Sequence, residues 1–232
     1  MRVLDLSAIL LPASPPHAII FDWDNTLVDM GGLLREIRQI TCLSFANNID
    51  QEKFQASSAS AESFFATFVE PELARKFFHN EYLRRSKEEL KSLPGALDTL
   101  NILHKQNIPL LLVSNKSSSL LEDEIERLGW RDYFKTVVGS SKVMGQDKPN
   151  AHNAFVAMKS VGIEPSSNVW FIGDSDADIL CAYNAGCYPL LIGDKREFTP
   201  AKYQHFADHT LLHTKDHYVL SKELSSYFVA KC

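Results

Sequence analysis

Runs of lysine and arginine are missing from this chain, as are long apolar stretches, closely spaced cysteines and internal repeats. With 24 Lys and Arg against 29 Asp and Glu, the formal net charge is −5 at pH 7. A protein built to grip nucleic acid carries a basic face, so that role is not expected. No apolar stretch reaches the roughly 20 residues that span a bilayer, so no membrane partner is expected either. The four cysteines, Cys42, Cys181, Cys187 and Cys232, lack metal-ligand spacing and are too few for a disulfide scaffold of this size. The short apolar run near the N-terminus is broken by Pro12, Pro15 and Pro16, which argues against an export signal. Reduced thiols without such a signal give the expectation of a cytoplasmic protein.

What is present is a recurring unit: a short apolar run ending in a small or polar residue, then a helical pattern. The runs are Ala18 to Phe21, Pro109 to Val113, Thr136 to Val138, Val169 to Ile172 and Tyr188 to Ile192. Near-continuous apolar strands mark a parallel sheet covered on both faces. Helical patterns fill the gaps, at Ala96 to Gln106, Ser118 to Leu128, Asn150 to Val161 and Ala177 to Asn184. A last strand (His209 to Leu212) and helix (Tyr218 to Phe228) follow, with no chemistry of their own. The alternation predicts an α/β domain with a doubly wound, Rossmann-like parallel sheet.

One region breaks this rhythm. Between Gly31 and Lys91 there is no strand candidate, only helix-like, polar and aromatic sequence such as Leu33 to Asn47, Glu62 to Phe68 and Pro71 to Leu90. Gly31-Gly32 opens the segment and Pro94-Gly95 closes it, as paired linkers do. The expected division is a core of residues 1–30 and 92–232 with a small helical cap, residues 31–91, inserted after the first run. Extra helices packed into the same core are the alternative.

Chemistry gathers where the runs end. The first ends in Phe21-Asp22-Trp23-Asp24-Asn25-Thr26, and carboxylates at i and i+2 there point to one side while Trp23 points away. In open α/β sheets the ligand crevice lies at the carboxyl ends of the strands. Asp and Asn in such a place also suit a plain turn and helix cap. The second run ends in Ser114-Asn115-Lys116 before a helix, a terminus suited to an anion or to an ordinary cap. The fourth ends in Gly173-Asp174-Ser175-Asp176-Ala177-Asp178. Carboxylates gathered with Asp22 and Asp24 would repel one another by about 4 kcal/mol per pair at ~4 Å and an effective dielectric of ~20. A divalent cation relieves that repulsion, and an all-oxygen site with few protein ligands suits Mg²⁺. Lys148, just before a helix, could offer positive charge to a phosphate.

Together, Asp22 to Thr26 (DWDNT), Ser114-Asn115 (SN), Lys148-Pro149 (KP) and Gly173 to Asp178 (GDSDAD) resemble the four motifs of the haloacid dehalogenase-like hydrolase superfamily. The helical insertion between the first and second motifs resembles its phosphoglycolate phosphatase-like branch. The resemblance implies a Mg²⁺-dependent phosphatase of a small phosphorylated metabolite, with phosphoglycolate the default of that branch. Asp22 would be the nucleophile that becomes an aspartyl-phosphate, and Asp24 the general acid and base. Mg²⁺ would be held by the Asp22 carboxylate, the Asp24 carbonyl and Asp174. Ser114, the Asn115 amide and Lys148 would hold the phosphoryl oxygens. Thr26 and Asp178 would support the site, Asp178 through a water or by orienting Lys148. Trp23 and Asn25 stand where many relatives have Leu and Gly, and Asp176 is a charge the motif does not require.

Asp24 argues against C–halogen cleavage, because the dehalogenases lack that second carboxylate. A phosphomutase using the same aspartyl-phosphate and a non-catalytic binding module on the same fold are the competing readings. Arg35, Arg38, Arg75, Arg84 and Arg85 could meet a second anionic group of the substrate. Neither the substrate nor the oligomeric state is legible from the residues.

Overall fold

The computed structural model describes residues 2–6, 11–12, 14–50, 64–140, 145–194 and 210–229. The chain divides into two compact units, Met1–Val28 with Ser92–Cys232, and Asp29–Lys91. The boundary falls two residues before the expected Gly31.

The larger unit is built on seven parallel strands: β1 (Arg2–Asp5), β2 (Ala18–Phe21), β3 (Leu110–Ser117), β4 (Phe134–Ser140), β5 (Val169–Gly173), β6 (Tyr188–Ile192) and β7 (Thr210–Thr214). Their spatial order is β1-β7-β6-β5-β2-β3-β4. Every pairing is parallel, which accounts for the continuous apolar runs. Every residue of β2 and β5 is buried. Successive residues feed opposite faces. Ala18, Ile20, Leu111, Val113, Val169 and Phe171 pack against Ala154, Ala157 and Met158 of α5 (His152–Ser160) and Cys181 and Ala182 of α6 (Asp176–Asn184). Trp170 points the other way, its ring centroid 6.3 Å from that of Tyr227 on α7 (His217–Val229). Helices α3 (Ala96–Lys105) and α4 (Ser118–Leu128) complete this unit among the described residues.

Several boundaries differ from the sequence pattern. No strand was expected before Ala18, yet Arg2–Asp5 forms β1. Its register partner is Thr210–His213, at the far end of the chain, so no local signal announces it. Strand β3 runs on through Ser114-Asn115-Lys116 to Ser117, with a register shift between Val113 and Ser117. Strand β4 is longer than its apolar centre, Thr136 to Val138. Strand β7 is displaced toward the C-terminus, and the predicted His209 lies outside the described residues.

The smaller unit holds α1 (Gly31–Ser44), a 3-10 turn at Ala46–Asn48 and α2 (Pro71–Glu89). Gly31 and Gly32, expected as a linker, form the first turn of α1, where Asp29 Oδ1 accepts from the Gly32 amide at 3.4 Å. Pro71 opens α2 at the position where its missing N–H has no helical partner to lose. Of the expected helical stretch Glu62 to Phe68, Glu62 and Ser63 lie outside the described residues. Phe64 and Phe65 are helical, and Phe68 bridges to Ile49. Phe64, Phe65, Phe68 and Ala74 form the core here, with Phe45 and Phe78 against them. No helix among the described residues is long and apolar enough to cross a membrane.

Candidate active site

Strand β2 lies between β3 and β5. The chain steps from β2 out to β3 and β4, then returns to the other side of β2 to lay down β5, β6 and β7. That reversal makes the carboxyl end of β2 a topological switch point, where such sheets open a crevice. Asp22 follows Phe21 there, its amide donating to the Ile172 carbonyl at 2.9 Å. Ser114 on β3 and Asp174 after β5 flank it.

The Lys148 ammonium bonds the Asp22 carboxylate directly and lies 2.6 Å from Asp178 Oδ1. All three residues are buried. Asp22, Asp174 and Asp178 each offer a carboxylate oxygen within 4.8 Å of the others. Burial drives the Asp22 carboxyl up to about 7; Lys148 opposes this, and Asp178 and Asp24 add to it. Burial, with Asp178 and Asp22, pushes Asp174 to about 8. Burial works against the Lys148 charge, but Asp178 and Asp22 outweigh it and hold the ammonium above the ordinary lysine range. The cluster therefore carries more negative charge than one lysine relieves, and its all-oxygen donor set fits a hard divalent cation.

Asp178 has its oxygens committed. Besides Lys148, it accepts from Ser175 N at 3.0 Å and Ser175 Oγ at 2.6 Å, closing a capping box at the start of α6. Asp178 thus contacts both Lys148 and the start of its own helix, while Asp22 and Asp174 stand beside it in the carboxylate cluster. Gly173 makes room for this: a Cβ there would stand 2.3 Å from Asp178 Cβ. Asp176 is the first residue of α6, where a carboxylate suits the positive end of the helix dipole.

Asn115 braces the same lysine from its backbone. The Asn115 side chain donates to the Lys148 carbonyl and accepts from the Lys148 amide, both at 2.9 Å. Ser114 is buried, and its Oγ accepts from the Lys116 amide at 3.1 Å. Thr26 Oγ1 lies 3.1 Å from Asp22 Oδ2 and 3.5 Å from Asp174 Oδ1. Asn25 sits at φ 56°, a left-handed conformation that Asn tolerates, which accounts for Asn at a place where Gly also serves.

A model of the family described as haloacid dehalogenase-like hydrolase matches residues 19–192. The chain belongs to the haloacid dehalogenase-like hydrolase family. A phosphoglycolate phosphatase of Pseudomonas fluorescens Pf0-1 is 30% identical over 200 residues, covering 79% of this chain and 72% of that protein. The crystal structure of a hydrolase of this superfamily from Ehrlichia chaffeensis superposes with a TM-score of 0.64 at 27% identity, covering 94% of this chain and all of that one. A family hydrolase from Deinococcus radiodurans R1, crystallised with phosphate and sodium, gives a TM-score of 0.70 at 20% identity over 93% of this chain and 97% of its own. The last likeness speaks for the fold alone.

Three contacts around the motif residues of this family member were not legible from its motifs. Lys116 Nζ lies 2.6 Å from Asp24 Oδ1 and 2.6 Å from Glu124 Oε2. Trp23 donates from its indole to the same Glu124 oxygen at 2.7 Å. A signal for Glu124 existed: α4 buries Leu121, Glu124 and Ile125, so a carboxylate sits on an apolar helix face. His217, a buried residue of the C-terminal segment, is the third. Its Nε2 meets the Thr26 carbonyl at 2.6 Å and its Nδ1 the Thr99 hydroxyl at 3.0 Å. A carbonyl only accepts, so Nε2 carries a proton. Burial keeps His217 below the ordinary histidine value.

Proposed function

We propose that the chain is a Mg²⁺-dependent phosphomonoester hydrolase acting on a small phosphorylated metabolite through an aspartyl-phosphate on Asp22. The observation that carries this reading is the buried Asp22 carboxylate, bonded to Lys148 beside Asp174 and Asp178 at the switch point of the sheet. Asp22, Asp174 and the Asp24 carbonyl are the groups that would hold Mg²⁺, whose chemistry when bound is to neutralise charge on the phosphoryl oxygens.

In the first step an Asp22 oxygen attacks phosphorus and the bond from phosphorus to the ester oxygen breaks. Asp24 gives its proton to that departing oxygen, so an alcohol leaves. Ser114, the Asn115 amide and Lys148 take the phosphoryl oxygens as charge spreads over them. In the second step water attacks phosphorus and gives a proton to Asp24. The acyl-phosphate bond breaks, and Asp22 returns as a carboxylate with inorganic phosphate released. Residues 31–91 serve as the cap that selects the substrate. The likeness to a phosphoglycolate phosphatase makes phosphoglycolate the first natural phosphate to assay.

The test is phosphate release from p-nitrophenyl phosphate, with and without Mg²⁺, by wild type and Asp22→Asn. Turnover should require the cation and vanish in the variant while folding persists. More than about a tenth of wild-type kcat in Asp22→Asn, a barrier change of only ~1.4 kcal/mol, would exclude Asp22 as nucleophile.

A further inference from the structure

Asp24 is not the end of a chain of contacts but the outer member of one. Its Oδ1 is 2.6 Å from the Lys116 ammonium, and Lys116 is held in turn, at 2.6 Å, by Glu124. The Lys116 side chain is 6% exposed and that of Glu124 is fully buried, against 35% for Asp24. Trp23, from the nucleophile loop itself, donates to the same Glu124 oxygen at 2.7 Å. Elements distant in sequence therefore converge on one carboxylate: the loop after β2, the end of β3 and the buried face of α4.

A lysine paired with Glu124 alone would need no third partner. Burying both charges is costly, and such pairs are often no more stable than apolar residues of the same volume. The network extends beyond the pair to the carboxylate read above as proton donor, two residues from the nucleophile. An ammonium has donors and no acceptor. While it occupies Asp24 Oδ1, the contact favours Oδ2 as the oxygen that carries a proton.

We propose that Lys116, anchored by Glu124 and Trp23, is a positioning residue that fixes the orientation of the Asp24 carboxylate, so that Oδ2 exchanges the proton with the leaving oxygen. The inference rests on the reading of Asp24 as general acid. Lys116 itself touches neither phosphorus nor the leaving group. Its loss lets Asp24 rotate, and the penalty falls on substrates whose leaving group needs a proton.

The experiment compares an alkyl phosphate with p-nitrophenyl phosphate, whose leaving group departs without a proton. Wild type, Asp24→Asn, Lys116→Met, Glu124→Gln and the Asp24→Asn/Lys116→Met double variant are assayed, with Tm measured for each. Lys116→Met should lower kcat for the alkyl phosphate by about 10-fold or more, part of the 10²–10⁴ that general acid catalysis supplies. For p-nitrophenyl phosphate the loss should stay within about threefold. Glu124→Gln should shift the ratio in the same direction and to a smaller extent, and it carries the test if Lys116→Met fails to fold. The double variant should discriminate no more than Asp24→Asn, as residues acting through one group do. Equal losses on both substrates in Lys116→Met and Glu124→Gln, with Asp24→Asn still discriminating, overturn the inference and leave the general-acid reading intact. If Asp24→Asn itself does not discriminate, the general-acid reading fails and the inference falls with it.

Discussion

Lys148 in the larger unit and Arg85 in the smaller are both buried cations between two carboxylates, and they differ in where those carboxylates end. The partners of Arg85 are Glu36 on α1 and Glu89 on α2, with side chains 61% and 40% exposed. Water screens them, and the trio acts as a clamp between two helices. One Arg85 nitrogen, Nη1, is buried with no hydrogen-bond partner among the described residues. The partners of Lys148 are Asp22 and Asp178, with side chains 7% and 1% exposed. Little of either acid is exposed, and Asp174 adds further negative charge beside them. An ion pair that reaches solvent is architecture, whereas a sealed one with surplus charge is poised to take a cation or to react.

Substituting the two cations identically should break the likeness. Lys148→Met removes both the phosphate contact and the counter-charge of Asp22, so kcat should fall on the order of 10²–10³-fold or more. The two buried carboxylates left facing each other should cost about 3–5 kcal/mol of stability at neutral pH. Arg85→Met should leave kcat for p-nitrophenyl phosphate unchanged and Tm within about 4 °C of wild type. Steady-state kinetics and thermal denaturation of both proteins check this. A Lys148→Met enzyme that turns over normally would place the chemistry elsewhere.

The next comparison removes the smaller unit. Val28 pairs with Ser92, and the Leu93 amide donates to the Leu27 carbonyl at 2.9 Å, so the two ends of the insertion leave the larger unit side by side. Replacing residues 31–91 with a short Gly/Ser linker should leave the sheet folded. Hydrolysis of p-nitrophenyl phosphate should survive in part, while preference among natural phosphates drops by about 10-fold or more, the worth of a ~1.4 kcal/mol contact. A shortened protein that discriminates as the full chain does would move specificity into the core.

The smallest effect concerns His217. Burial depresses its pKa in the folded state, so the unfolded chain binds the proton first as pH falls below ~6.5. The neutral ring's stabilisation is complete above that value and is lost as pH drops toward the folded pKa. Between pH 7.5 and pH 5.5, Tm of wild type should therefore fall by more than that of His217→Gln. Equal pH dependence in the two proteins would remove His217 from that linkage.

Most of the larger unit was readable because parallel strands bury both faces and so appear as uninterrupted apolar runs. The motif residues were readable because strand ends must carry the polar groups of the crevice. Asp22, Asp24, Ser114 and Asp174 all stand at such ends, and Lys148 stands just before a helix. What escaped was non-local or modest in composition. Strand β1 has four residues and finds its partner more than two hundred positions away. Gly31 and Gly32 looked like a linker, although a helix start tolerates them once Asp29 receives an amide. Of the five arginines offered for a second anion, Arg38 and Arg75 lie over Phe64 and Phe65, and Arg84 and Arg85 pair with glutamates.

Residue identity and spacing along the chain were enough to establish an α/β sheet, an insertion without strands and a set of strand-end carboxylates with one lysine. They could do so because periodicity and strand ends are local properties of a chain. Folding in three dimensions decided which side chain meets which. Asp178 turned to Lys148 and its own helix, Asn115 to the backbone of that lysine, and Lys116 to Asp24. Those assignments depend on which side chains reach within hydrogen-bond distance across the sheet, and a one-dimensional pattern holds no such distances.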